Sequence, residues 1–182
     1  MERLAIDLSG PYVVACVVLL LAGGMKMADP NPTRGALRAM GLPWRGPVVI
    51  ALGGAEACFA VVALVAGGTL AAIPIVVAYA GFTVFVAVAL ARHTPLSSCG
   101  CFGRDDTPPT IIHLLLDLVF TAVALVAMVG DVPPIDRILS AQPAHGIPFL
   151  GYVGLGVAAC VLLLTSLPRT LALVTPSQEA RG

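Results

Sequence analysis

Charge is scarce in this sequence. Only 11 % of its 182 residues are Asp, Glu, Lys or Arg, against about 25 % in a typical water-soluble domain. A larger core cannot absorb the difference, because a domain of this size must still present a polar surface to water. The chain is 58 % hydrophobic with a mean hydropathy of +0.97, so its exterior has to meet lipid. Lys and Arg form no polybasic run and the net charge is zero. Both facts remove the electrostatic basis for nucleic-acid binding. A basic leader is missing too. The first ten residues carry Glu2, Arg3 and Asp7, and the long apolar run behind them reads as a retained span, not a cleaved signal. Five scattered cysteines exclude a secreted disulfide framework. No internal repeat and no pair of broken spans marks a transporter.

Long apolar runs are abundant. A spanning helix needs about 20 mostly apolar residues, and five stretches qualify, at about 11–28, 47–66, 70–91, 111–130 and 147–167. They predict an all-α integral membrane helix bundle in a lipid bilayer. Its parts are a four-helix membrane domain over residues 1–130, a polar loop with an extra span over 131–168, and a disordered tail over 169–182. Gly67-Gly68-Thr69 predicts a tight turn that makes spans two and three a hairpin. Residues 29–46, with Pro30, Pro32 and Pro43, read as a polar loop carrying a short interfacial helix near 36–40, with Trp44 in the headgroup belt. Residues 131–146 read as a second loop, in which His145 is solvated. Gly151, Gly154 and Ala158 sit at helical spacing in span five and predict close helix contact, within the protein or with a partner. Lys26, Arg34, Arg38, Arg45, Arg92, Arg104, Arg169 and Arg181 fall on one side of the membrane, Arg3 and Arg137 on the other. This imbalance predicts the N-terminus outside and the C-terminus in the cytoplasm.

Whichever side is which, one membrane face gathers the groups with chemistry. Lys26 closes span one, and Glu56 lies roughly 14 Å into span two at 1.5 Å per residue. Cys99 and Cys101 lie between spans three and four, and His113 and Asp117 in the first two turns of span four. A charge in hydrocarbon costs about 2.5–3.5 kcal/mol, so Glu56 and Asp117 need a reason to be there. Glu56 can pair with Lys26. Either carboxyl can carry protons, since burial favours its neutral form, or act as a polar clamp between helices. Asp117 is expected to share a hydrogen bond with His113, four residues away on the same helical face. In Cys99-Gly100-Cys101, glycine gives the backbone freedom that a small disulfide ring demands. Such a strained bond is labile and suits dithiol–disulfide exchange. Arg92, His93 and Arg104 favour the thiolate, while Asp105 and Asp106 oppose it. A metal site completed by His93 and His113 is a competing reading whose spacing matches no common pattern; an inert turn is a third. Cys16, Cys58 and Cys160 read as small buried hydrophobes.

Ala22-Gly23-Gly24-Met25-Lys26 with Asp29-Pro30 behind it, Glu56 in the next span, and Cys99-Gly100-Cys101-Phe102-Gly103 before span four together resemble the methylamine utilisation protein MauE family, among the DoxX-like small membrane proteins. The resemblance covers about residues 11–130, and its cysteine element is the most specific part. It implies a four-helix membrane bundle that supports redox maturation of exported proteins beside a thioredoxin-like partner. Cys99 and Cys101 match the family's cysteine pair, and Lys26 and Glu56 its intramembrane charges. By analogy with other four-helix thiol oxidases, a quinone is the candidate electron acceptor, although no residue marks its site; no resident metal is expected. Span five departs from the pattern. A cytoplasmic cysteine pair also conflicts with oxidation of exported proteins, which takes place outside. An inverted topology, electron entry from the cytoplasm or a different chemistry would each resolve the conflict.

The favoured reading is a membrane thiol–disulfide redox or electron-relay protein. Cys99 and Cys101 react, while Lys26, Glu56, His113 and Asp117 supply charge or protons. A non-catalytic assembly scaffold, with the cysteines as a staple and span five as a docking helix, is the alternative. A small transporter using Glu56 and Asp117 ranks last. Neither the oligomeric state nor the substrate is legible.

Overall fold

The computed structural model describes residues 2–42, 44–94 and 108–166, with side chains for all of these except residues 2–8 and 145. Cys99, Cys101, Arg104, Asp105, Asp106, the side chain of His145 and the expected disordered tail lie outside the described residues. Among the described residues there are seven α-helices and no strand. They are α1 (Glu2–Ala28), α2 (Asn31–Ala39), α3 (Gly46–Ala66), α4 (Gly68–Ala91), α5 (Ile111–Gly130), α6 (Ile135–Ala141) and α7 (Ile147–Thr165), with a 3₁₀ turn at Pro143–Gly146. Ser9–Ala28 of α1, together with α3, α4, α5 and α7, are long and apolar enough to cross a membrane. This is the multi-pass bundle that hydropathy predicts.

Hydrocarbon solvates the outside of the bundle, so the spanning helices need no polar stripe. Val65, Leu70, Val77, Val129 and Leu155 all stand exposed on its surface, where water would penalise them and lipid does not. α1 is the central helix. It is 56 % buried, against 17–33 % for the other four spans. It packs on α3, α5 and α7, while α4 closes the bundle by packing on α5. The Tyr79 hydroxyl of α4 donates to the Ala15 carbonyl of α1 at 2.6 Å, and Thr83 of α4 meets Thr121 of α5 at 3.3 Å.

α1 begins at Glu2, earlier than the span predicted from residue 11, and runs through Pro11. Besides losing a hydrogen bond to the carbonyl four residues back, a proline disfavours helix at the residue before it by clashing with that residue's Cβ and N–H. Here that residue is Gly10, which has no Cβ, and a Cβ there would also sit 2.7 Å from the ring of Tyr152 on α7. The interfacial helix α2 spans nine residues, longer than expected, because Pro32 falls in its first turn, where proline favours helix. It buries Thr33, Ala36 and Leu37 against the bundle and turns Arg34 and Arg38 outward. The predicted loop at 131–146 holds the short helix α6, entered from Pro134, with Asp136 in its first turn, where a carboxylate suits the helix dipole.

The end of the bundle away from Lys26 is closed by the turn between α3 and α4. Gly67 adopts φ +62° and Gly68 φ +82°, left-handed conformations that favour glycine. A Cβ on Gly67 would lie 2.6 Å from the Pro134 nitrogen. The Gly68 N–H donates to the Val132 carbonyl at 2.8 Å, and the Thr69 N–H donates to Asp131 Oδ1 at 3.0 Å. The first orphan amides of α4 are therefore satisfied by the loop behind α5.

Of the two contacts open to the small residues of α7, the one within the protein is not made by Gly151, Gly154 and Ala158. Gly156 meets Val14, where a Cβ would stand 3.0 Å from a Val14 methyl, whereas Cβ atoms on Gly151 and Gly154 would meet nothing within 4 Å. Val153, Val157 and Leu164 share the α1-facing side, which turns Gly151, Gly154 and Ala158 outward.

Gly67→Val is expected to destabilise the protein by roughly 1–3 kcal/mol, through both the positive φ and the clash with the 133–134 backbone. Gly151→Val should be near neutral. Thermal unfolding in detergent, followed by size-exclusion recovery, measures both.

Candidate functional site

Gly23 on α1 and Gly53 on α3 face each other. A Cβ on Gly23 would lie 2.5 Å from the Gly53 carbonyl oxygen, and one on Gly53 would lie 2.6 Å from that of Gly23. No other residue type fits this crossing, and the two backbones touch as small residues allow in membrane helices. Lys26 and Glu56 each lie three residues beyond one of these glycines, so both project from the crossing.

At the crossing the Lys26 ammonium donates to Glu56 Oε2 at 2.7 Å, with the side chains 3 % and 4 % exposed. The ammonium also stands 5.0 Å from the centre of the Phe82 ring on α4, a cation–π contact that gains strength where water is excluded. Asp117 of α5, partly buried, is within Coulombic reach of Lys26. Two spans thus bring the Lys26 ammonium and the Glu56 carboxylate together, and Phe82 of a third stands beside the cation. Lys26 counts as a headgroup-side charge in the topology reading; its burial withdraws it from that count.

Among the described residues, the hydrogen bonds of His113 go to Thr110, not to Asp117 as expected. Thr110 caps α5, and the Thr110 backbone N–H donates to His113 Nδ1 at 3.3 Å, with the Thr110 hydroxyl at 3.0 Å. His113 here fills the capping-box position where Glu or Gln is usual. Because a backbone amide can only donate, Nδ1 is an acceptor and a neutral ring carries its proton on Nε2. Asp117 instead borders a cavity of about 20 Å³ shared with His113, Tyr79, Phe82 and Phe120.

The Lys26-side ends of α4 and α5 are the ones joined through residues 92–110, and Cys99 and Cys101 within that stretch lie outside the described residues. Among the described cysteines, Cys16 is buried, but Cys58 is exposed on the lipid-facing side and Cys160 is half-buried. A helix in lipid can place a thiol outward at little cost, so the small-buried-hydrophobe reading holds only for Cys16.

The family model for methylamine utilisation protein MauE matches residues 5–130. The chain belongs to the MauE family. The match ends with α5, so α6 and α7 lie beyond it, and it contains Lys26, Glu56, Cys99, Cys101, His113 and Asp117. No curated protein and no solved structure matches the chain.

Two features of this MauE-family site escape a reading by residue type. Gly23 and Gly53 look like ordinary span glycines, yet their shared spacing to Lys26 and Glu56 was a usable signal. Outside the bundle, Arg34, Arg38, Arg45 and Trp44 border a polar recess of about 430 Å³ around α2.

Removing one partner of a buried pair leaves an uncompensated charge. Lys26→Met and Glu56→Met are each expected to cost roughly 3–5 kcal/mol, and the double variant much less than their sum. Thermal melts of the four proteins, closed as a double-mutant cycle, measure the coupling. Additive small effects would mean the pair is not buried.

Proposed function

We propose that this MauE-family protein is a membrane thiol–disulfide relay in which Cys99 and Cys101 form the exchanging pair. A thioredoxin-like partner's dithiol gives two electrons and two protons to the Cys99–Cys101 disulfide, leaving the partner oxidised and the pair as two thiols. The observation that carries this reading is the buried Lys26–Glu56 pair, with Asp117 in Coulombic reach, under the face from which the 92–110 connection arises. Charge held in hydrocarbon at such cost marks function more often than packing. These side chains supply fixed charge and proton acceptors beside a reaction that moves protons. His113 supports the site by holding the first turn of α5, where that connection ends. The exposed Arg34, Arg38 and Arg45 on this face favour a cytoplasmic position for it, with the N-terminus outside.

A second reading, a non-catalytic assembly factor, draws on α7. Its Gly151, Gly154 and Leu155 face outward with open space around the glycines, a surface suited to a partner helix.

Thiol labelling of intact cells and of opened membranes, on a variant lacking Cys16, Cys58 and Cys160, separates the two. The relay predicts that Cys99 and Cys101 switch reversibly between labelled and protected forms with oxidant and reductant. It also predicts that labelling requires access from the cytoplasmic side, and that Cys99→Ser abolishes exchange. Cysteines that stay labelled under oxidant, with partner maturation lost only on Gly151→Leu or Gly154→Leu, would establish the scaffold instead.

A further inference from the structure

α3 and α4 are separated by Gly67 alone, yet each packs mainly on another helix, α3 on α1 and α4 on α5. A groove of about 570 Å³ is left between them, within the size range of small-molecule sites. Buried Thr33, Ala36 and Leu37 of α2 form its outer end. The wall is apolar, with Phe59, Phe82, Phe85 and Trp44 among its side chains, and its main polar groups are Lys26 and Glu56. Its flanks include Ile73 and Val77, which are exposed on the lipid-facing surface, so an occupant can enter from the bilayer.

The polar end selects the head of that occupant. An ammonium has three donors, and among the described residues Lys26 spends one on Glu56 and faces Phe82 with its charge. A plain acyl chain offers it nothing. A phosphate is opposed, because the Glu56 carboxylate lines the groove beside the ammonium and already answers its charge. A neutral head that accepts from Lys26, donates to Glu56 when reduced, and presents a flat ring to Phe82 and Phe85 matches every group. We propose that the α3–α4 groove binds a lipid-soluble quinone, its carbonyl on Lys26 and its tail along α3 and α4. The proposal rests on the relay reading for its purpose. Two thiols oxidised to a disulfide release two electrons and two protons, and these convert one quinone to one quinol.

Trp44 is the sole tryptophan and lines the groove, so quinone binding is read directly as quenching of intrinsic fluorescence. The probe is a decyl-tailed dimethoxymethylbenzoquinone, titrated into the full-length protein in nanodiscs. The control is the same tail on a ring without carbonyls. Wild type is expected to quench saturably and to bind the control at least about tenfold more weakly, the loss of one charge-assisted hydrogen bond. Gly81 lines the groove, and a Cβ there would meet nothing within 4 Å. The Cβ of Gly81→Phe is therefore accommodated and its ring occupies groove space; the variant should abolish saturable quenching, with the melting temperature as the check that it folds. Lys26→Met should weaken binding about tenfold if it folds. Quenching that is linear in probe, indifferent to Gly81→Phe, or matched by competition from the carbonyl-free control would overturn the proposal. The titration is repeated on the Cys99→Ser, Cys101→Ser variant. Retained binding there, with thiol exchange absent from wild type, would sink the relay and leave the quinone site standing; lost quinone binding in wild type with exchange intact would do the reverse.

Discussion

A lysine ammonium cannot lie inside a bilayer without something to answer its charge, and the rest of this bundle is arranged around that answer. The Lys26–Glu56 pair needs α1 and α3 close enough for a 2.7 Å hydrogen bond. Ordinary side chains at the crossing would hold the helices too far apart. Gly23 and Gly53 remove that spacer, and the pair forms three residues beyond them. Phe82 then brings α4 beside the cation. One electrostatic requirement thus fixes the relative depth of two spans and sets a third beside them.

The two ends of the bundle are held by different physics. Away from the ion pair, the Gly67 turn, the Asp131 carboxylate and the 132–134 backbone lock α3, α4 and α5 together through satisfied backbone groups. At the Lys26 end, α3 and α4 follow different neighbours and part. The polar residues at that end stabilise a cleft between helices. This division gives a rigid base and a hydrophobic groove that ends at a charge, an arrangement that a membrane redox protein can use and a purely structural bundle has no need of.

Most of the fold was legible along the chain. Five spans, the α3–α4 hairpin and an interfacial helix near α2 follow from hydropathy and from Gly and Pro placement, since insertion into lipid is decided segment by segment. The meeting of Lys26 and Glu56 was legible as well, because a carboxylate stranded in hydrocarbon needs a partner and Lys26 was the opposite charge gathered at the same membrane face. The hydrogen bond expected between His113 and Asp117 was misplaced, because a residue four positions from a carboxylate invites a pair while the capping option depends on the geometry of Thr110. Which face of α7 meets α1 was not legible: the spacing of Gly151 and Gly154 suits helix packing within the protein or with a partner, and α1 is met by Gly156.

The amino-acid sequence alone determined that this chain lives in a membrane, how many times it can cross, and which face collects its ionisable groups. These are local properties, set by the transfer of each segment from water to lipid. Only the tertiary structure decided which glycines touch, which thiol is exposed, that α3 and α4 part to leave a groove, and that Lys26 looks into it. Those outcomes turn on the rotational phase of one helix against another. In an almost uniformly apolar helix no hydrophobic stripe records that phase, so it is settled by the fit of small residues and buried charges across the crossing.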